Sequence, residues 1–181
     1  MNENIVPATA EPRNLNDINS LVESHVDNFL FGEGLLTPGN AAAGLIVLDD
    51  GRYLCQLRSQ IPGIYYPDHW GLFGGAVDLG ERPEAALKRE LQEELMLEVD
   101  NAEYFTEFTF DFSFCGMGQV WRRYYLVQYN SEKLNLLRLG EGREFRAFTT
   151  CEILRQSRLV PYDAFAIWLH ATQQRSNKNK E

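Results

Sequence analysis

Between Gly71 and Asp100 the chain reads GLFGGAVDLGERPEAALKRELQEELMLEVD. A glycine pair, Gly74-Gly75, is followed by Glu81, Pro83 and the run Arg89-Glu90-Leu91-Gln92-Glu93-Glu94. Pro83 suits a first helical turn, and the spacing predicts a helix over residues 83 to about 96. On that helix Leu87, Leu91 and Leu95 form an apolar stripe, about a quarter turn from a charged one at roughly 100° per residue. Glu90, Glu93 and Glu94 are spaced i, i+3, i+4 and share that charged face. One face therefore packs on a sheet while its neighbour carries three carboxylates. Like charges at this spacing cost a helix roughly 0.2–0.5 kcal/mol per pair. A solvated surface tolerates such a cluster, whereas a divalent cation would benefit from it. Carboxylate oxygens are hard ligands, suited to Mg²⁺ or Mn²⁺ rather than to a structural zinc.

The rest of the chain supplies the sheet. Residues 41–48 form an apolar run, Asp49-Asp50-Gly51 reads as a hairpin turn, and residues 52–58 are the partner strand. A loop with Gly63 and Pro67 carries Tyr65, Tyr66, His69 and Trp70. A strand is expected over 72–77, leading through Gly80 to the helix. Residues 104–114 alternate apolar and polar in TEFTFDFSF, as a half-buried strand does. Further strands are expected over 120–129 and 144–149, and Pro161 opens a C-terminal helix. Towards the N-terminus, Leu15, Ile18, Leu21, Val22, Val26, Phe29 and Leu30 recur at helical spacing. Such a helix over 15–30 must cover a core, a partner subunit as in a homodimer, or a substrate mouth. The expected organisation is an extension over 1–37, a catalytic domain over 38–176 and a polar tail over 177–181. The architecture is α+β: an α/β/α sandwich around a mixed β-sheet.

Composition narrows the function. The 181-residue chain has a formal net charge of −9, which argues against a nucleic acid polymer as partner, because that binding depends on clustered Lys and Arg. Small phosphate substrates remain open, since a bound cation reverses the local field. The three cysteines, Cys55, Cys115 and Cys151, lack zinc spacing and read as reduced thiols of a cytoplasmic protein. The N-terminal residues have neither a basic start nor an apolar run, so no signal peptide is expected. No stretch approaches the roughly 20 apolar residues needed to span a membrane.

The glycine-glutamate segment resembles the Nudix box, the signature of the Nudix hydrolases. Gly75, Glu81, Arg89, Glu90, Leu91, Glu93, Glu94 and Leu97 fall on the family pattern in register. Met96 stands where the family has a glycine that ends the helix, so the helix is expected to run on or end differently, altering the following loop more than the chemistry. Trp70-Gly71-Leu72-Phe73-Gly74-Gly75 resembles the family's Trp-x-x-Pro-Gly-Gly, with Phe73 replacing proline.

The resemblance implies cleavage of a diphosphate linkage in a nucleoside diphosphate joined to another moiety, with Mg²⁺ or Mn²⁺ as cofactor and a small-molecule nucleotide as substrate. It implies that Glu90, Glu93 and Glu94 hold the cations, with the Gly74 carbonyl as a main-chain ligand. Arg89 is expected to orient Glu81 or Glu90. Glu93 and Glu90 are the first candidates for general base, with Glu141 and Glu144 as late-loop candidates that serve equally well as solvated charges. Gly75 would let the backbone approach phosphate closely. Arg58 is a candidate phosphate ligand and equally a surface charge. Tyr66 and Trp70 are candidates to stack a base, although core packing is the commoner role of such residues. Family markers for ADP-ribose, dinucleoside polyphosphate and coenzyme A substrates are missing or incomplete, which leaves nucleoside triphosphates and nucleotide sugars. Two other classes compete: a non-catalytic nucleotide-binding module on the same fold, and an isomerase like that of isopentenyl diphosphate, which would need a catalytic cysteine such as Cys55 or Cys115.

Overall fold

The computed structural model describes residues 38–61, 63–113 and 118–178. The chain divides into two compact units between Thr37 and Pro38. The first unit, and with it the expected helix over 15–30, lies outside the described residues. So does Cys115.

Seven strands form one mixed sheet. β1 is Ala41–Leu48, β2 Tyr53–Leu57, β3 Trp70–Gly71, β4 Phe73–Ala76, β5 Glu103–Asp111, β6 Gln119–Tyr129 and β7 Glu144–Phe148. The order runs β3-β2-β1-β6-β5, with β4 also on β1 and β7 also on β2. β1 pairs with β6 in parallel, and the other pairings are antiparallel. Helix α1, Pro83–Leu95, covers one face. Helices α2, Thr150–Leu154, and α3, Pro161–Lys178, are the other α-helices among the described residues.

β1 shows why two layers form. It is apolar throughout and buried on both sides, so its alternate residues feed two cores. Ala42 and Ile46 join Leu87, Leu91 and Leu95 of α1. Ala43, Leu45 and Val47 join Ile153 of α2 with Ala166 and Ile167 of α3. The expected α/β/α sandwich is the observed architecture.

Several boundaries differ from expectation. The strand expected over 72–77 is β4, Phe73–Ala76, which pairs with β1, and it is preceded by a two-residue strand that was not expected, β3, which pairs with β2. The break falls at Leu72, whose N–H turns away to the Asp163 carboxylate, at 2.9 Å. β5 stops at Asp111, short of the expected end at residue 114. A 3₁₀ turn, Ser131–Leu136, and helix α2 were not expected from periodicity. α3 continues to Lys178, so the start of the polar tail is helical.

The end of α1 corrects the expectation for Met96. The helix does not run on. Met96 itself adopts φ 53°, ψ 32°, the left-handed conformation that glycine takes at a helix end. Its N–H bonds the Gln92 carbonyl at 3.0 Å, and the Leu97 N–H bonds that of Leu91 at 3.1 Å. The loop leaves the helix as it would after glycine, at the cost of a strained methionine. No helix of the described residues is long and apolar enough to cross a membrane.

Candidate active site

Arg89 organises the charged face of α1. Its Nε and Nη2 donate to the two carboxylate oxygens of Glu81, each at 3.2 Å. Its Nη1 donates to Glu90 at 2.8 Å and to Glu93 at 3.3 Å. Nη2 also donates to the Ala76 carbonyl at the end of β4, at 3.0 Å. A planar guanidinium with several fixed donors suits this convergence in a way that an ammonium does not. The sequence left Glu81 and Glu90 as alternative partners; the arginine takes both, and Glu93 as well. It thereby relieves the like-charge repulsion along the helix. Glu81 and Glu90 hold Arg89 more firmly protonated than usual, and Arg89 in turn holds Glu81 below the usual carboxylate range.

The glycine pair brings the sheet against this face. Gly74 lies at φ 123°, and a Cβ there would stand 2.2 Å from the Ala42 carbonyl oxygen. A Cβ at Gly75 would stand 2.5 Å from the Glu90 carboxylate. Only a backbone without side chains fits between β1 and α1 here. The Gly74 N–H donates to Glu94 Oε2 at 2.8 Å, and Gln56 Nε2 donates to Glu94 Oε1 at 2.9 Å. Glu94 is only 6% exposed. Burial pushes its carboxyl up to about 7, against the pull of these two donors. Burial also raises Glu90, which Arg89 partly offsets. The Glu93 side chain is 53% exposed and open to solvent.

The other expected residues are spread around this centre. Glu141 is exposed in the turn before β7, close enough for its charge to oppose that of Glu90. Glu144 opens β7 opposite Leu57 and is exposed. Arg58 Nε donates to the Tyr65 carbonyl at 2.8 Å, which ties down the loop between β2 and β3. Tyr66 sits in that loop at φ 52°, its ring edge-on to His69 and Tyr162. Trp70 is 8% exposed and packs edge-to-face on Phe148, with Arg146 over its ring. It anchors β3 to the α2–α3 side of the sheet.

Sequence reasoning missed a second polar cluster beside this loop. Asp163, in the first turn of α3, is 2% exposed. It accepts from the Leu72 N–H and from the Tyr124 hydroxyl at 3.0 Å, and it faces Arg122 Nε at 3.3 Å. The Arg122 guanidinium lies 5.0 Å from the Tyr162 ring centroid and 5.6 Å from that of Tyr124. Burial alone would weaken its hold on the proton, but the Asp163 charge outweighs this and keeps it charged. A signal was present: Arg122 and Tyr124 are two apart on β6 and share a face, so an arginine beside a buried tyrosine called for a carboxylate.

Cys55 is fully buried, and burial pushes its thiol up. On β2 it points away from its neighbour Gln56, into the core shared with α2 and α3. The sheet therefore separates it from Glu90 and Glu94, which removes Cys55 as the cysteine of an isomerase.

Among the described residues no three acidic, imidazole or thiol groups converge as a finished cation cage. The donor chemistry nevertheless fits a hard divalent cation. Glu90 lies in a cradle that a Cβ at Gly75 would fill, and Glu94 is a buried carboxylate whose two hydrogen-bond donors are neutral groups. Added positive charge would complete this arrangement.

Comparison with known proteins agrees with this geometry. The model of the NUDIX domain matches residues 38–175. An 8-oxo-dGTP diphosphatase of Haemophilus influenzae is 42% identical over 72 residues, 39% of this chain and 51% of that protein. The nucleoside triphosphatase NudI of Escherichia coli is 44% identical over 50 residues, 28% of this chain and 35% of its own length. The chain thus spans about half or less of these relatives. Among solved structures, a MutT NUDIX hydrolase from Burkholderia pseudomallei superposes with a TM-score of 0.58 at 25% identity, covering 72% of this chain and 96% of that one. With the box residues in register and the sandwich in place, the chain belongs to the NUDIX domain family.

Proposed function

We propose that this protein is a metal-dependent hydrolase that cleaves a diphosphate linkage in a nucleoside triphosphate or a nucleotide sugar. One observation carries the reading: Arg89 gathers Glu81, Glu90 and Glu93 beside the buried Glu94, all against a glycine pair that brings backbone close to them. A non-catalytic binding module has no need of this arrangement. The named activities of the partial relatives, a diphosphatase and a nucleoside triphosphatase, favour a triphosphate.

Glu90, Glu93 and Glu94, with the Gly74 carbonyl, would hold Mg²⁺ or Mn²⁺. Such cations neutralise the diphosphate and make bound water more acidic. The protein's own residues do the rest. Arg89 fixes the directions in which Glu81, Glu90 and Glu93 present their oxygens. Glu93, exposed to solvent, and Glu90 are the first choices to take a proton from water, with Glu141 and Glu144 as the alternatives. Gly75 leaves room for a phosphate oxygen. Arg58 and Tyr66, in the loop between β2 and β3, remain the candidates to meet a phosphate and a base.

The test is release of phosphate, pyrophosphate or nucleoside monophosphate from a panel of nucleoside triphosphates and nucleotide sugars. Turnover with Mg²⁺ or Mn²⁺ that stops on chelation supports the reading. No turnover of any member with either cation overturns it.

A further inference from the structure

β2 is an interior strand, paired by β1 and β3 along one edge and by β7 along the other. Its neighbours Leu54 and Cys55 are fully buried apolar residues. Gln56, between Cys55 and Leu57, is 2% exposed. A glutamine in such a place loses its contacts with water, so its amide must be used. It is used twice. Its Nε2 donates to Glu94 Oε1 at 2.9 Å. Its Oε1 lies under the turn before β7, where a Cβ at Gly142 would stand 2.9 Å from it.

That turn is seated on the end of α1. The Gly140 N–H donates to the Glu94 carbonyl at 2.8 Å, and a Cβ at Gly140 would stand 2.1 Å from the Glu93 carbonyl oxygen. The Arg143 N–H donates to the Leu57 carbonyl at 2.9 Å, next along β2 from Gln56. Gly142 has φ 86°. Two glycines thus let the turn press on α1 and on Gln56 with no side chain between. The turn carries Glu141, whose charge reaches Glu90.

We propose that Gln56 is a positioning residue for the carboxylate site: one amide fixes the orientation of Glu94 and serves as the floor on which the Glu141 turn rests. This deepens the proposed function and rests on it. An unsupported Glu94 side chain would turn among several rotamers, and a cation would have to select one of them. Residues that hold a ligand from behind are typically worth about 10–100-fold in metal affinity or activity.

The experiment measures Mn²⁺ binding by electron paramagnetic resonance of the free ion, alongside kcat and KM on whichever nucleotide the wild type hydrolyses. Gln56→Met keeps the length and approximate volume of the side chain but removes its donor and acceptor. The Mn²⁺ dissociation constant is expected to rise about tenfold or more. kcat should fall, with KM changed by less than about threefold, since the loss lies in the reacting geometry rather than in nucleotide binding. Gln56→Asn, which keeps an amide but draws it back from Glu94 by one methylene, should move both quantities the same way, and it decides the matter if Gln56→Met fails to fold. Folded variants with wild-type Mn²⁺ affinity and kcat overturn the positioning role while leaving the proposed function standing. A wild-type protein that binds no Mn²⁺ overturns both.

Discussion

Arg89 grips Glu81 with two parallel hydrogen bonds, Nε and Nη2 each 3.2 Å from a carboxylate oxygen. The same guanidinium reaches Glu90, Glu93 and the Ala76 carbonyl. A lysine carries the same charge but cannot make a fork of bonds. Arg89→Lys should therefore keep the fold and lose at least about tenfold in kcat, the scale of losing one oriented partner behind a ligand. Circular dichroism and steady-state kinetics on the same preparation check this; unchanged kcat would show that charge alone suffices.

Glu94→Gln removes an ionisable carboxyl, and with it one of the proposed cation ligands, at nearly constant shape. Turnover is expected to fall at least roughly a hundredfold, as for loss of one preorganised electrostatic group. The amide can still accept from the Gly74 N–H and donate to a flipped Gln56, so the fold should survive. A folded Glu94→Gln protein with near wild-type diphosphate hydrolysis would remove the α1 carboxylates from the chemistry.

Asp163→Ala breaks a buried cluster rather than the reaction. It strands the Arg122 guanidinium, the Tyr124 hydroxyl and the Leu72 N–H at once. Removing one partner of a buried ion pair typically costs about 3–5 kcal/mol. Urea denaturation should show a loss of this size, and Asp163→Asn, whose amide oxygen can still accept from the Leu72 N–H while its NH2 donates to the Tyr124 oxygen, should lose less.

Met96→Gly should stabilise the protein by about 1 kcal/mol, because glycine adopts the left-handed helix end without a Cβ penalty. The side chain is 63% exposed, so little packing is lost. Thermal melting should move up by about 2–4 °C, with kcat little altered. A lower melting temperature would mean that the methionine makes contacts worth more than the strain.

His170 provides an acid-side test. It is 3% exposed, with Nδ1 2.8 Å from the Tyr53 hydroxyl and its ring edge-on to Tyr53 and Phe105. Burial depresses its pKa below the usual value near 6.5. The unfolded chain thus binds a proton more readily, and stability is full above about 6.5 and falls as pH drops through the folded value. Glu94 works in the opposite sense: its raised carboxyl favours the folded state at low pH, and that contribution is lost as pH rises through about 7. Comparing wild type with His170→Gln cancels the Glu94 contribution. Between pH 7 and pH 5 the wild type should lose more stability than the variant; parallel profiles would show that His170 titrates normally.

The sequence made local periodicity visible and hid contacts between distant segments. The α1 stripe and its carboxylate face could be read directly, because residues three and four apart on a helix must be neighbours. Gln56 meets Glu94 across 38 residues, and Asp163 meets Leu72 across 91. Nothing in either local pattern marks those partners. Helix α2 is a different case. Its Thr149–Glu152 capping box is a pattern in the sequence, but a five-residue helix is too short to show periodicity. Met96 misled because residue type argued against a left-handed end that the surrounding hydrogen bonds impose.

The break at Leu72 has a mechanical consequence. A continuous strand would have spent that N–H within the sheet, and the glycine pair two residues on would answer only to β1. Instead the peptide is moored to α3, on the far side of the sheet from the carboxylates. The backbone that touches Glu94 and Glu90 is held from behind by the C-terminal helix, like a string tightened through a board. A change at the base of α3 that lets Leu72 slacken would be felt in the fit of Gly74 against Glu94, although no side chain of that helix need touch the nucleotide.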